Sequence, residues 1–148
     1  MSGATASHHG RKHLKVFLSH SYADTVLARK IRNLLHERLG LKMDLHEDLS
    51  FGETWLSKLR KEIEACDTFV PLITPESTSD NWLLQETGAA WGLGKPIVPI
   101  VTRRDTLSQF PIAIERHVTL QPSELDDSVT AERFIREFED ALAASHAR

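Results

Sequence analysis

An α/β fold, with a parallel sheet covered by helices on both faces, is what the sequence predicts. Three observations predict it. Short apolar runs alternate with amphipathic helical stretches along the chain. The runs are apolar at consecutive positions, as in Val16-Phe17-Leu18 and Ile97-Val98-Pro99-Ile100-Val101, which suits strands buried on two sides. Each run is separated from the next by enough residues for a crossover helix.

Residues 1–13 carry no apolar period and are expected to form a disordered leader, with 14–148 as a single domain. Lys15–Ser19 (KVFLS) reads as a buried strand, followed by the polar loop Ser19–Asp24. Asp24 is expected to cap the next helix with its carboxylate. That helix shows Leu27, Ile31, Leu34, Leu35 and Leu39 at helical spacing, and Gly40 closes it. Leu41–His46 alternates apolar and polar residues, as a strand near the sheet edge does. A mixed loop, Glu47–Glu53, leads to a helix over Thr54–Ala65 with Trp55, Leu56, Leu59 and Ile63 on its apolar face. Thr68–Ile73 is a third strand, and Pro71 inside it suggests a bulge, because proline has no donor for the ladder.

Thr74–Asn81 is rich in turn formers, and Asp80 or Asn81 is placed to cap the helix that runs to Leu93. On that helix Gly88, Ala89, Ala90 and Gly92 read as a close-packed side, and Trp91 as core. Ile97–Val101 is a fourth strand, Thr102–Ile114 is irregular with one short helix before Pro111, and His117–Leu120 is a fifth strand. Thr130–Ala144 closes the chain as a helix with Ala131, Phe134, Ile135, Phe138 and Leu142 on one face. Strict alternation with right-handed crossovers makes this a flavodoxin-like, doubly wound, five-stranded parallel sheet of order 2-1-3-4-5.

Composition excludes several classes of function. A net charge of −3 with scattered Lys and Arg does not provide the basic face of a nucleic-acid binder. No apolar run approaches the ~18 residues of a membrane span, and no signal-peptide core is present, so a cytoplasmic protein without membrane partners is expected. The single cysteine, Cys66, forms no internal disulfide and reads as a small core residue. His8, His9 and His13 fall in the Ser/Gly/Ala-rich leader, and no metal site is expected. The chain has no G-x-G-x-x-G, no Walker A loop and no G-x-S-x-G elbow.

In an open parallel sheet, ligands sit beyond the carboxyl ends of the strands, at the point where strand order reverses. For order 2-1-3-4-5 this lies between strands one and three, beside the loops Ser19–Asp24, Thr74–Asn81 and Glu47–Glu53. Trp82 and Glu86 are four positions apart at the start of the helix that follows, so they share a face near this crevice.

Three motifs stand in order along the chain: Val16-Phe17-Leu18-Ser19-His20-Ser21, Trp82-x-x-x-Glu86, and Glu86-Thr87-Gly88-Ala89-Ala90-Trp91-Gly92 followed by Gly94-Lys95-Pro96-Ile97-Val98-Pro99-Ile100. On these motifs the chain, from Lys15 onward, resembles a TIR (Toll/interleukin-1 receptor) domain of bacterial type. The resemblance implies cleavage of the nicotinamide–ribose bond of NAD+, with NAD+ as substrate and no cofactor. Glu86 would be the catalytic carboxylate, with Trp82, His20, Ser21 and Asp48 binding substrate. It also implies self-association into a homo-oligomer or filament. The short stretch after the last helix favours a standalone protein similar to those of Thoeris-like antiphage systems, which signal to a separate nucleotide-sensing effector. The rival readings are a non-catalytic TIR adaptor or virulence mimic, and an enzyme related to the nucleoside deoxyribosyltransferases.

Overall fold

The structure is a computed structural model that describes residues 14–45, 53–110 and 116–146. The side chains of 53–56, Trp55 and Leu56 among them, lie outside the described residues, as do the expected leader 1–13, His46, Asp48 and residues 111–115. Its strands are β1 (Lys15–Ser19), β2 (Lys42–Leu45), β3 (Thr68–Ile73), β4 (Ile100–Val101) and β5 (Val118–Thr119). Its α-helices are α1 (Thr25–Leu39), α2 (Glu53–Ala65), α3 (Asn81–Gly92), α4 (Arg104–Leu107) and α5 (Ser128–His146). The five strands run parallel in the order β2-β1-β3-β4-β5, the order predicted from the alternation.

Side chains leave a strand on alternate faces, and here this parity sorts two cores. Val16 and Leu18 of β1 join Val70 and Leu72 of β3, and pack against Ile31 and Leu35 of α1 and Phe134 and Phe138 of α5. Phe17 and Phe69 point the other way, toward Leu59 and Ile63 of α2 and Ala90 of α3. Their rings meet edge to face with centroids 5.7 Å apart, an arrangement that aligns one ring's positive edge with the other's negative face. Cys66 lies in this second core. Burial pushes its thiol up to about 11, and its Sγ donates to Ile63 O at 3.1 Å, so the group is an inert core residue, as read from sequence.

Local chemistry explains the helix ends. Gly40 takes a left-handed φ of 69° and donates its N–H to His36 O at 2.9 Å, closing α1 where a side chain would be strained. Asp80 caps α3 by accepting from Leu83 N at 3.0 Å. Asp24 does not cap α1. It ends a 3-10 turn (Tyr22–Asp24) and is buried, and its Oδ2 accepts instead from Ser21 Oγ at 2.9 Å and Thr74 Oγ1 at 2.7 Å. Two hydroxyls held in the interior compete successfully with the exposed N–H groups of the first turn, because buried donors must be satisfied by protein.

Pro71 makes no bulge against β1: the pairing runs one to one from Val16↔Thr68 to Ser19↔Pro71. Its missing donor falls on the β4 side, where Phe69 N bonds Pro96 O and Thr102 N bonds Ile73 O. With Pro99 opposite, the regular ladder between β3 and β4 is reduced to Leu72↔Ile100 and Ile73↔Val101, plus a separate bridge at Phe69↔Ile97. The expected strand over Ile97–Val101 is therefore two residues long, Ile100–Val101.

Two expectations for α3 are corrected. Trp91 is 65% exposed, because the buried positions Leu83, Glu86, Thr87 and Ala90 define a stripe that leaves Trp91 at its edge. Gly88 and Gly92 are not a packed side: a Cβ at either would meet nothing within 4 Å.

Candidate active site

Glu86 and Ser19 form the centre of the candidate site. Ser19 ends β1 and shares the parity of Phe17, so its side chain faces α2 and α3. Position 86 lies on the buried stripe of α3, nearly two turns after the Asp80 cap. The two meet where β1 and β3 lie side by side and strand order reverses. Ser19 Oγ donates to Glu86 Oε1 at 2.5 Å, with Ser19 fully buried and Glu86 2% exposed. A carboxylate this deep in a core is rare unless it is hydrogen-bonded.

Trp82, one turn before Glu86, is half-buried. Both line a cleft of about 190 Å³ between α2 and α3, with Leu59, Arg60, Ile63, Gln85, Ala89 and Leu93 around them. The cleft is mostly apolar, with a carboxylate at its wall and one guanidinium at its rim. A negative group in such surroundings is poorly screened, so it acts strongly on positive charge that develops next to it.

His20 and Ser21 follow Ser19 and are both buried. Neither lines the cleft. His20 Nδ1 lies 2.9 Å from Ser21 O, and Ser21 Oγ donates to Asp24. Asp24 thereby links the loop after β1 to Thr74 in the loop after β3, and Ser77 Oγ in turn receives the Thr74 N–H at 2.8 Å. Of the residues singled out in sequence, the structure brings together Trp82 and Glu86, places His20 and Ser21 behind Ser19 in a buried polar cluster, and leaves Asp48 outside the described residues. The residues missed were Ser19 and Asp24. A signal for Ser19 was present: it is a hydroxyl that follows the apolar run Val16–Leu18 at the core-facing parity of Phe17, and it needs a buried partner.

A second cleft, of about 730 Å³, opens at the carboxyl ends of β4 and β5 and is lined by Arg103, Arg104, Asp105, Gln121, Glu124 and Arg133 among others. Its central cation is committed to the fold. Arg133 donates through Nε and Nη2 to both oxygens of Glu124, through Nη1 to Glu137 and through Nη2 to Thr119 O. The guanidinium holds the Glu124 carboxyl below its ordinary value, and the carboxylate raises Arg133 in return. Among the described residues, this cleft holds no buried carboxylate comparable to Glu86.

Fold and site together define a flavodoxin-like α/β protein with a buried carboxylate at the switch point of its sheet. Within that class, the TIR domain model matches residues 16–143, and the chain belongs to the TIR domain family. A search of curated proteins finds no match. Among solved structures, the chain is similar to the TIR domain of the Toll-related receptor TRR-2 from Hydra magnipapillata. The identity is 18% over 86% of this chain and 97% of that one, with a TM-score of 0.59. It is also similar to the Clostridium botulinum CMP N-glycosidase BcmB, at 14% identity over 88% of this chain and 98% of that one, with a TM-score of 0.54. At these identities the likeness is one of fold.

Proposed function

We propose that this TIR domain is an NAD+ glycohydrolase or cyclase, which cleaves the nicotinamide–ribose bond to give nicotinamide and ADP-ribose or a cyclic isomer. The observation that carries the reading is the Trp82–Glu86 pair on one cleft, with Glu86 buried at the sheet's switch point. The TIR family contains NAD+-cleaving members, which supports the same reading.

The chemistry suits a single carboxylate. Nicotinamide in NAD+ is a cationic pyridinium and departs neutral, so no acid is needed to protonate it. The positive charge that needs stabilising develops on the ribose, and a nearby anion lowers its energy, as in glycoside cleavage. In this account Glu86 faces the anomeric carbon and directs water, or a second nucleophile of the substrate, to it. Trp82 packs against the nicotinamide end. His20 and Ser21 do not line the cleft and back it from the buried loop after β1, while Asp48 borders the substrate from the loop after β2. At about 190 Å³ the cleft is below the ~300 Å³ of a typical small-molecule site, so it suits one end of the dinucleotide.

In the cell, the reading is of a cytoplasmic, bacterial, antiphage enzyme that self-associates into a homo-oligomer or filament. Its product would be sensed by a separate effector, as in Thoeris-like systems. NAD+ is the substrate, with no further cofactor, metal, nucleic acid or membrane partner. Among the described residues, no helix is long and apolar enough to cross a membrane.

A second reading is favoured by one observation, the fold likeness to a CMP N-glycosidase: a nucleotide or deoxynucleoside N-glycosidase using the same carboxylate. One assay separates the readings. Purified protein at high concentration with a crowding agent is given NAD+, CMP or deoxyribonucleosides, and free base is measured by chromatography. Nicotinamide release that is lost in Glu86→Ala is the expected result. Base release from CMP or deoxynucleosides alone supports the second reading, and silence with all of them supports a non-catalytic adaptor.

A further inference from the structure

We propose that Ser19 is the positioning residue for the Glu86 carboxylate: its hydroxyl fixes which oxygen and which rotamer Glu86 presents to the cleft. The kinetic part of this inference rests on the NAD+-cleavage reading above.

Residue type and location do not match at position 19. Positions 16–18 of β1 are all apolar and buried, and the parity of Phe17 continues at 19 into the core between the sheet and α3. Packing alone would favour an apolar side chain there. A hydroxyl at such a position has one donor, and leaving it unsatisfied is costly. Among the described residues, the hydrogen bond recorded for this hydroxyl goes to Glu86 Oε1, at 2.5 Å.

Both ends of this bond are set by rigid elements. Ser19 is fixed by strand pairing opposite Pro71 at the centre of the sheet. Glu86 is fixed by α3, whose start is capped by Asp80 and whose next residue, Thr87, donates its hydroxyl to Leu83 O at 2.8 Å. A glutamate has three side-chain torsions, and a helix backbone alone does not choose among their rotamers. The Ser19 hydroxyl anchors one carboxylate oxygen to the sheet. Supporting bonds of this kind hold a reactive group within the tolerance that catalysis demands.

The test combines a structural readout with a kinetic one. The side-chain carboxyl carbon of Glu86 is followed by NMR in ¹³C-labelled protein and assigned by its loss in Glu86→Gln. In Ser19→Ala this resonance is expected to shift, and in Ser19→Thr, which keeps the hydroxyl, it is expected to return toward the wild-type position. For nicotinamide release, Ser19→Ala is expected to lower kcat about 10- to 100-fold with KM within about 2-fold, and Ser19→Thr to recover most of the rate. An unchanged Glu86 resonance in folded Ser19→Ala overturns the proposal, as does an unchanged or raised kcat. If Ser19→Ala does not fold, Ser19→Cys, of similar size with a weaker donor, replaces it with the same expected direction. Wild-type protein that releases no nicotinamide under assembling conditions contradicts the NAD+ reading, and the resonance then decides the Ser19–Glu86 pairing by itself.

Discussion

The two faces of the sheet are built differently. Toward α1 and α5, a large apolar cluster runs from Val16 and Leu18 to Phe134 and Phe138, with buried Thr68 bonded to His146 of α5 at its amino end. Toward α2 and α3, the apolar cluster of Phe17, Leu59, Ile63 and Phe69 stops at the carboxyl end of β1, and Ser19 and Glu86 continue it. The first face is arranged for packing. The second gives up apolar burial at its top edge to hold a carboxylate next to a cleft. Asp24 is the other carboxylate buried among the described residues, and its Oδ2 accepts from Ser21 and Thr74; Glu86 differs in lining a cleft, the arrangement expected of a functional site.

Substitutions on the two faces should therefore separate stability from activity. The largest loss of stability is expected from Phe134→Ala, on the packing face. This ring is fully buried, 6.2 Å from that of Phe138, and its removal should cost about 3–5 kcal/mol in urea denaturation, through lost burial and the cavity left behind. Protein that remains folded should retain its turnover per molecule. A loss of turnover in fully folded Phe134→Ala would tie the two faces together more closely than their structures suggest.

Arg133→Ala comes next, at about 1 kcal/mol near neutral pH, since its partners are partly exposed and solvent screens them. The sign of its pH dependence follows from Glu124. The folded-state value of that carboxyl is depressed by the Arg133 hydrogen bond below its ordinary 4.5. The stabilisation is thus present above that ordinary value and disappears as pH falls through the folded one. Thermal melts of wild type and variant should converge at acid pH and diverge toward neutrality.

Gly88→Ala should be a small gain, about 0.5–1 kcal/mol, because the helix gains a better former and the new Cβ meets nothing within 4 Å. A loss instead would mean that this side of α3 is covered in the working assembly. The smallest effect concerns Cys66. Its thiol, raised to about 11 by burial, should react with iodoacetamide in native protein far more slowly than in unfolded protein at pH 8, as mass spectrometry would show.

Much of this arrangement was legible in the sequence, for reasons that are local. β1, β3 and the amphipathic helices follow from periodicity, and the alternation of elements leaves few sheet orders to choose from. The Trp82-x-x-x-Glu86 spacing needs only helix geometry to put both residues on one cleft. What was missed depends on partners far along the chain. Asp24 looked like a cap because its neighbours are helical, yet its hydroxyl partner Thr74 is fifty residues away. β4 shrank because Pro71 removes a donor from the opposite strand. Trp91 looked like core by residue type, but only the buried stripe of α3 shows that it falls outside. Ser19 was read as the last residue of a strand, although its parity already placed a hydroxyl in the core.

The central claim is that Glu86 is kept in the core for chemistry and not for stability, and Glu86→Gln tests it most directly. Nicotinamide release from NAD+ and the melting temperature are measured on the same preparations of wild type and variant, at concentrations that allow assembly. The account predicts a fall in rate of about 10²–10³-fold with a melting temperature equal to or above that of wild type. Nicotinamide release at the wild-type rate in a folded Glu86→Gln protein would contradict it.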